Sequence, residues 1–423
     1  MNKVHRFLIL ALVSLMLGAA AAACGSNETQ APAQTPAETQ TQAPTEAAAE
    51  VDYTVPVPLP AGTEAASGLV LKEGDKITVY DYDKVPFTFK AGSIQKMINL
   101  WPANTAGVLA LGAEPFFIAN IGMTSPYQTL MFPDYAALSS VSMTVQGTSN
   151  INSEAILAME PDLIISHPTS IEQWRSLEAE SGVDLPVINV NFTSYDEMKT
   201  TYKIVGAILG GEVERRAEIW AQMLTDNVDR IARGLAGVTD TPIVFYSAGG
   251  ENMGGTLGMN DLSQSVVTNE WCTYAGGKYW PKWMLEQGKT VAMSNNAVNP
   301  EAILDNPPAK IFIGGGQTEA MNAILDGSSE DPWTGIVKNL GDGNAKYIPY
   351  ALFDWARFGA ESALMVLWAA REIHPDVFAD PATDAYIDMH AETKAFYKDF
   401  AGYDISDGNV DNILAGLPPA GTN

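Results

Sequence analysis

The sequence predicts two α/β lobes with Rossmann-like parallel sheets, joined by a long α-helix. Three observations predict it. From residue 75 onward, short apolar strands alternate with helical stretches, the pattern of βαβ units. Between 196 and 238 the alternation stops and an amphipathic run takes over. A fifteen-residue pattern then occurs twice, at 152–166 and 299–313, once on each side of that run. The first lobe is therefore assigned to 75–195, the helical linker to 196–238 and the second lobe to 239–423. A chain of 423 residues that is 46% hydrophobic has room for two or three such domains.

The first 23 residues fall outside the fold. Lys3 and Arg6 precede an apolar stretch at 7–23, which ends in Ala21-Ala22-Ala23 before Cys24. That stretch is shorter than the roughly 20 residues a spanning helix needs. Small residues before a cleavage point mark a signal peptide over 1–23. Residues 25–50 contain only small and polar types and no aromatic. They cannot bury enough apolar area to offset the entropy of ordering, so 24–50 reads as a disordered tether. Residues 51–74, rich in Pro and Gly, are transitional.

The folded part follows. Residues 76–82 and 87–90 read as a β-hairpin, and 97–100 as a buried strand ending at Trp101-Pro102. Residues 105–111 read as a helix closed by Gly112. Further strands are predicted at 163–165, 187–190, 243–246 and 310–313. In the linker, Tyr202, Val205, Leu209, Val213, Trp220, Leu224, Val228, Ile231 and Leu235 recur near a period of 3.6, with a break predicted at Gly210-Gly211.

Composition excludes several functions. A formal net charge of −26 opposes binding to nucleic acid or an anionic lipid surface, since both need a basic footprint. Two cysteines cannot make a disulfide framework or a Cys-based zinc site. If Cys24 is modified, Cys272 is the single remaining thiol and reads as a small buried apolar residue. Of the four histidines, His167, His374 and His390 lie in different predicted elements, which argues against a His-built metal centre. No G-x-S-x-G, H-E-x-x-H, Walker A or G-x-G-x-x-G pattern is present, so no enzyme class is indicated.

The repeat is the strongest signal. Asn152/Asn299, Glu154/Glu301, Ala155/Ala302, Ile156/Ile303, Leu157/Leu304, Pro161/Pro308 and Ile164/Ile311 are identical. Each copy reads as a helix capped by Asn, with Glu in its first turn, then Pro, then a buried strand. Pro300 suits the first helical position of the second copy. A first-turn acid contributes only about 0.3–1 kcal/mol, and other capping types would serve as well. A glutamate retained in both copies therefore points beyond capping.

This unit resembles the helix–strand unit of the substrate-binding lipoproteins of iron-siderophore and cobalamin ABC importers. The resemblance spans roughly 75–405. Trp101-Pro102-Ala103-Asn104-Thr105, Tyr274-Ala275-Gly276-Gly277, and the stretches 355–378 and 396–405 also resemble segments of that family. Ala23-Cys24 resembles a lipobox, which implies that Cys24 is lipidated and becomes the mature N-terminus. The resemblance implies a membrane-anchored monomer on the extracytoplasmic face, with a ligand cleft between lobes and no cofactor or catalysis. Glu154 and Glu301 would dock on the ABC permease, which works with its ATPase.

In a two-lobed α/β fold, loops after strands line the cleft. That nominates Trp101, His167 and the 247–258 loop. Resemblance adds Tyr127, Trp355 and Arg357, and Trp280 follows the Ala-Gly-Gly turn. Aromatics give flat apolar area with a polar handle, suited to a macrocycle or metal chelate. Arg357 serves either a neighbouring acid or the ligand. Lys278, Lys282 and Arg175 are the other cations considered. The stretches 101–107, 123–132, 166–171 and 246–264 contain no Lys or Arg. A triply anionic catecholate complex needs buried cations. The expectation is therefore a near-neutral chelate, an iron–hydroxamate siderophore complex, with a corrinoid or haem as alternatives. A secreted enzyme, a signalling lipoprotein and a binder of free metal ions are the competing readings.

Overall fold

The computed structural model describes residues 51–121, 124–141, 152–182, 184–249, 253–254, 266–289, 293–294 and 297–421. Cys24, the signal segment and the tether lie outside these residues, as do 250–252 and 255–258 of the 247–258 loop. It is a mixed α/β fold with two parallel sheets.

The chain opens with an antiparallel sheet of β1 (Val70–Glu73), β2 (Lys76–Tyr80) and β3 (Pro86–Lys90) in the order 1-2-3. The hairpin of β2 and β3 matches the sequence reading. β1 corrects it, because the segment taken as transitional supplies a paired strand from Val70 to Glu73.

The first parallel sheet orders β4 (Met97–Asn99), β5 (Leu163–Ser166) and β6 (Val187–Asn189) as 4-5-6. Helices α1 (Pro102–Ala110), α2 (Pro126–Met131), α3 (Ser153–Ala158) and α4 (Ile171–Ser181) flank it in sequence. α1 starts three residues earlier than predicted, with Pro102 in its first turn, where the missing N–H costs nothing.

The linker is two helices, not one rod. α5 (Tyr195–Leu209) and α6 (Gly211–Gly234) meet at Gly210 (φ 70°, ψ −171°) and Gly211 (φ 55°). Two successive positive φ values reverse the chain at little cost only for glycine. The helices then pack along one another. α6 buries Val213, Ala217, Trp220, Leu224, Asn227 and Ile231, a 3.6-residue stripe. Val228 packs against the same core as expected, and the seam also takes in Asn227, whose side-chain amide donates to the Ala363 carbonyl at 2.7 Å.

The second parallel sheet orders β12-β11-β7-β8, from β7 (Ile243–Ser247), β8 (Lys278–Tyr279), β11 (Lys310–Ile313) and β12 (Ala345–Tyr347). A two-stranded ribbon, β9 (Met293–Ser294) and β10 (Ala297–Val298), lies between them in sequence. The helices are α7 (Val266–Tyr274), α8 (Trp280–Glu286), α9 (Pro300–Asp305), α10 (Glu319–Asp326), α11 (Pro332–Leu340), α12 (Ser362–Ile373), α13 (Met389–Phe396) and α14 (Asp407–Leu414). Residues 355–361 form turns before α12.

Alternation along the strands divides the core. Met97, Leu163, Ile165, Val244, Tyr246 and Phe312 enter one large cluster that also takes the apolar faces of α5, α6 and α12. Their neighbours Ile98, Ile164 and Val187 enter a second cluster, and Phe245, Ile311 and Ile313 a third. Successive strand residues point to opposite faces. Each parallel sheet thus has its own outer core, while both inner faces share one core through the helices between them.

Candidate functional site

In parallel α/β sheets the crevice opens beyond the carboxyl ends of the strands. Beyond β4 stands Trp101, the residue before α1. The Asn99 side-chain oxygen accepts from the Trp101 N–H at 3.1 Å, and the Thr105 hydroxyl donates to the Trp101 carbonyl at 2.9 Å. This backbone is fixed at both groups, leaving the indole half-buried.

Beyond β5 stands His167. Its Nδ1 accepts from the Thr169 N–H at 3.0 Å and lies 2.7 Å from the Thr169 hydroxyl. With Nδ1 accepting, the ring hydrogen sits on Nε2. Burial pushes the imidazole down to about 4, so at neutral pH His167 is an uncharged N–H donor. Its ring lies edge-on to Trp101, with centroids 3.9 Å apart. Beyond β6, Phe192 also meets Trp101 edge-on, at 4.8 Å. Loops from all three strands of this sheet therefore converge on one indole.

The second lobe reaches the same indole through Phe358, whose centroid is 5.8 Å from that of Trp101. Its neighbour Arg357 is anchored rather than free. The Arg357 Nε donates to the Tyr246 hydroxyl at 3.2 Å and Nη2 to the Ala248 carbonyl at 3.0 Å, and Nε pairs with the buried Asp354 at 3.2 Å. Asp354 accepts from the Gly315 N–H at 2.8 Å and the Ala356 N–H at 2.9 Å. Burial works against the Arg357 charge, but Tyr246 and Asp354 beside it prevail and strengthen it. The loops after β7 and β11 press closely here. A Cβ on Gly249 would lie 1.9 Å from the Gly314 carbonyl oxygen, and one on Gly314 would lie 2.3 Å from the Asp354 carboxylate. Only glycine fits at either position.

Of the residues nominated from sequence, Trp101 and His167 come into contact, and Arg357 adjoins the residue that reaches them. Three others are corrected. Tyr127 is fully buried, and its hydroxyl donates toward the carbonyls of Asn409 (3.3 Å) and Leu417 (3.2 Å). Trp280 is a core residue against Phe245, its Nε1 donating to the Asn306 carbonyl at 2.6 Å. Trp355 is fully buried in the shared core. None of the three presents surface to a ligand in this structure. The other cations are also engaged or outward: Lys278 pairs with Glu286 at 2.8 Å, Arg175 with Asp81 at 3.3 Å and Glu178 at 2.9 Å, and Lys282 is exposed on α8.

Sequence reasoning missed Phe192, Phe358, Asp354 and the Gly314-Gly315-Gly316 turn. Phe192 was within reach, since it follows a predicted strand as Trp101 and His167 do. Among the described residues, no group of three or more His, Cys, Asp or Glu could hold a metal ion. No described helix is long and apolar enough to cross a membrane. Cys272 is fully buried and burial pushes its thiol up, in keeping with an inert core residue.

Away from this site, Glu154 and Glu301 are exposed in the first turns of α3 and α9. Asn152 caps α3, accepting from the Ala155 N–H at 3.0 Å. Asn299 precedes α9 without a side-chain cap, contrary to the expectation for the repeat.

A sequence model described as periplasmic binding protein matches residues 98–326, more than half of the chain. No curated protein matches the sequence. Among solved structures, a periplasmic solute binding protein from Veillonella parvula is 18% identical, with a TM-score of 0.62 over 80% of this chain and 96% of that one. The molybdate periplasmic binding protein MolA of Haemophilus influenzae, bound to molybdate, is 14% identical with a TM-score of 0.61 over 78% and 99%. Helicobacter pylori CeuE with Ni(II) bound is 17% identical with a TM-score of 0.56 over 80% and 99%.

Proposed function

The chain belongs to the periplasmic binding proteins, and from that premise we propose that it captures a near-neutral metal chelate for an ABC importer. It is a binding protein, not an enzyme, and its family works outside the cytoplasm. The observation that carries the ligand class is the pairing of the cleft cation. Trp101, His167, Phe192 and Phe358 offer apolar faces and one neutral N–H donor, while the Arg357 charge is already met by Asp354. A multiply charged anion brought here would be left without counter-charge, at a cost of several kcal/mol. An iron–hydroxamate complex carries no such burden. A corrinoid meets the same description and is the second reading.

The test is titration of the purified protein with a ferric trihydroxamate, cobalamin and a ferric triscatecholate, following tryptophan fluorescence. Quenching by the first or second is expected. Saturable binding of the catecholate alone overturns the assignment.

Two further features complete the reading. Cys24 is the lipidated N-terminus that holds the protein at the membrane; Cys24→Ser is expected to move it to the soluble fraction with its fold intact. Continued tight membrane association of that variant would contradict lipidation. Glu154 and Glu301 are the docking acids for the permease, one from each copy of the repeat.

A further inference from the structure

One buried acid remains unexplained by capture or docking. Glu361 is fully buried at the start of α12. Its Oε1 accepts from the Leu352 N–H at 2.7 Å and the Tyr397 hydroxyl at 3.2 Å, while Oε2 has no partner among the described residues. No described cation forms an ion pair with it.

The segment it holds, 349–361, is where the halves of the molecule meet. The Leu352 carbonyl accepts from the Gln128 side chain of α2 at 2.9 Å, so one peptide unit bridges the first lobe and Glu361. The Ala360 carbonyl accepts from Trp220 of α6 at 2.7 Å, and the Ser362 carbonyl from the Tyr195 hydroxyl of α5 at 3.2 Å. The same segment carries Asp354, Arg357 and Phe358 to the cleft.

Two forces oppose each other on this carboxyl. Burial without a cation favours the protonated acid. The N–H and O–H donors aimed at Oε1 favour the carboxylate. Burial prevails and moves the group up to about 7, against donors from Glu361 itself, Leu352, Tyr397 and Phe353. The other titratable groups acting on this region are Tyr202 of α5, Tyr397, and Tyr350 of the segment; burial pushes all three phenols up, so they stay neutral. Asp354 and Arg357 satisfy one another.

We propose that Glu361 is a positioning residue, whose gain or loss of one proton alters how the 349–361 segment presents Arg357 and Phe358 to ligand. Its effect on affinity rests on the cleft reading above; its effect on the segment does not. Hydrogen–deuterium exchange of 349–361 in the ligand-free full chain, corrected for intrinsic rates, is therefore measured in steps from pH 6 to pH 8. Wild type is expected to show about a fivefold change in protection, in the usual range of coupling effects, and Glu361→Gln none. Equal pH dependence in both proteins overturns the proposal. Tyr397→Phe removes a donor to the charged form and is expected to move the wild-type midpoint to higher pH; an unmoved midpoint also counts against it. In parallel, the affinity for a ferric trihydroxamate is expected to depend on pH in wild type and to lose that dependence in Glu361→Gln. If this probe binds neither protein, the chelate reading fails, and the exchange experiment still decides the role of Glu361.

Discussion

The two copies of the repeated unit separate what packing demands from what it leaves free. Ile156 and Ile303 are buried, each on the outer face of its own sheet, beside Ile164 and Ile311. Those identities need no functional cause, since both sheets require the same knob at the same place. Three other shared pairs behave differently. Leu157 packs partly against its core, whereas Leu304 is 53% exposed. Asn152 caps its helix and Asn299 does not. Glu154 and Glu301 are exposed in both copies. A residue identical in both units but idle in one of them is not held there by the fold alone. Glu301 and Leu304, three apart on one helix, share a face.

The largest expected effect breaks the comparison at the surface. Changing both glutamates to Lys is expected to abolish uptake of the chelate in cells, with ligand affinity in solution unchanged. Loss of affinity in the soluble double variant would show that these acids serve the cleft instead. Stability is expected to fall by no more than about 0.3–1 kcal/mol per site, the contribution of a first-turn acid.

Next come the apolar positions, measured by denaturant unfolding. Ile156→Ala and Ile303→Ala are each expected to cost about 2–4 kcal/mol, because each leaves a cavity in an outer core. Leu157→Ala is expected to cost about 1 kcal/mol and Leu304→Ala less than about 0.5 kcal/mol. A large loss at Leu304 would mean that the second copy packs as the first does. The smallest contrast lies at the caps. Asn152→Ala is expected to cost about 1 kcal/mol and Asn299→Ala close to nothing, since no side-chain bond is lost there.

The fold was legible in the sequence because strand alternation and helical period are local signals. The strands at 97–100, 163–165, 187–190, 243–246 and 310–313 each match an observed strand to within a residue or so at their ends. β1 was hidden, since Val70–Glu73 sits among Gly and Pro and gains its strand character only by pairing with β2. The site was legible only in part. Trp101 and His167 follow strands, and that rule found them. It could not distinguish Trp101 from Trp280 or Trp355, because burial of an indole depends on partners remote in sequence. Pairing of Arg357 with a neighbouring acid was foreseen, but not that the acid is Asp354, nor that Tyr246 and Ala248, more than a hundred residues away, also hold the guanidinium.

The bonds of Tyr127 bear on how this chain is born. Its hydroxyl finds its acceptors 282 and 290 residues downstream, in the last helix and just beyond it. A nascent chain has neither when its first lobe is complete, so that phenol must stay wet or unpaired until residues 409–417 have been made. Contacts of such separation are closed late and slowly. Removing the residues from 409 onward would therefore wound the first lobe, far away in sequence. Tyr127 of α2 would lose both acceptors, although every residue of that lobe remained in place.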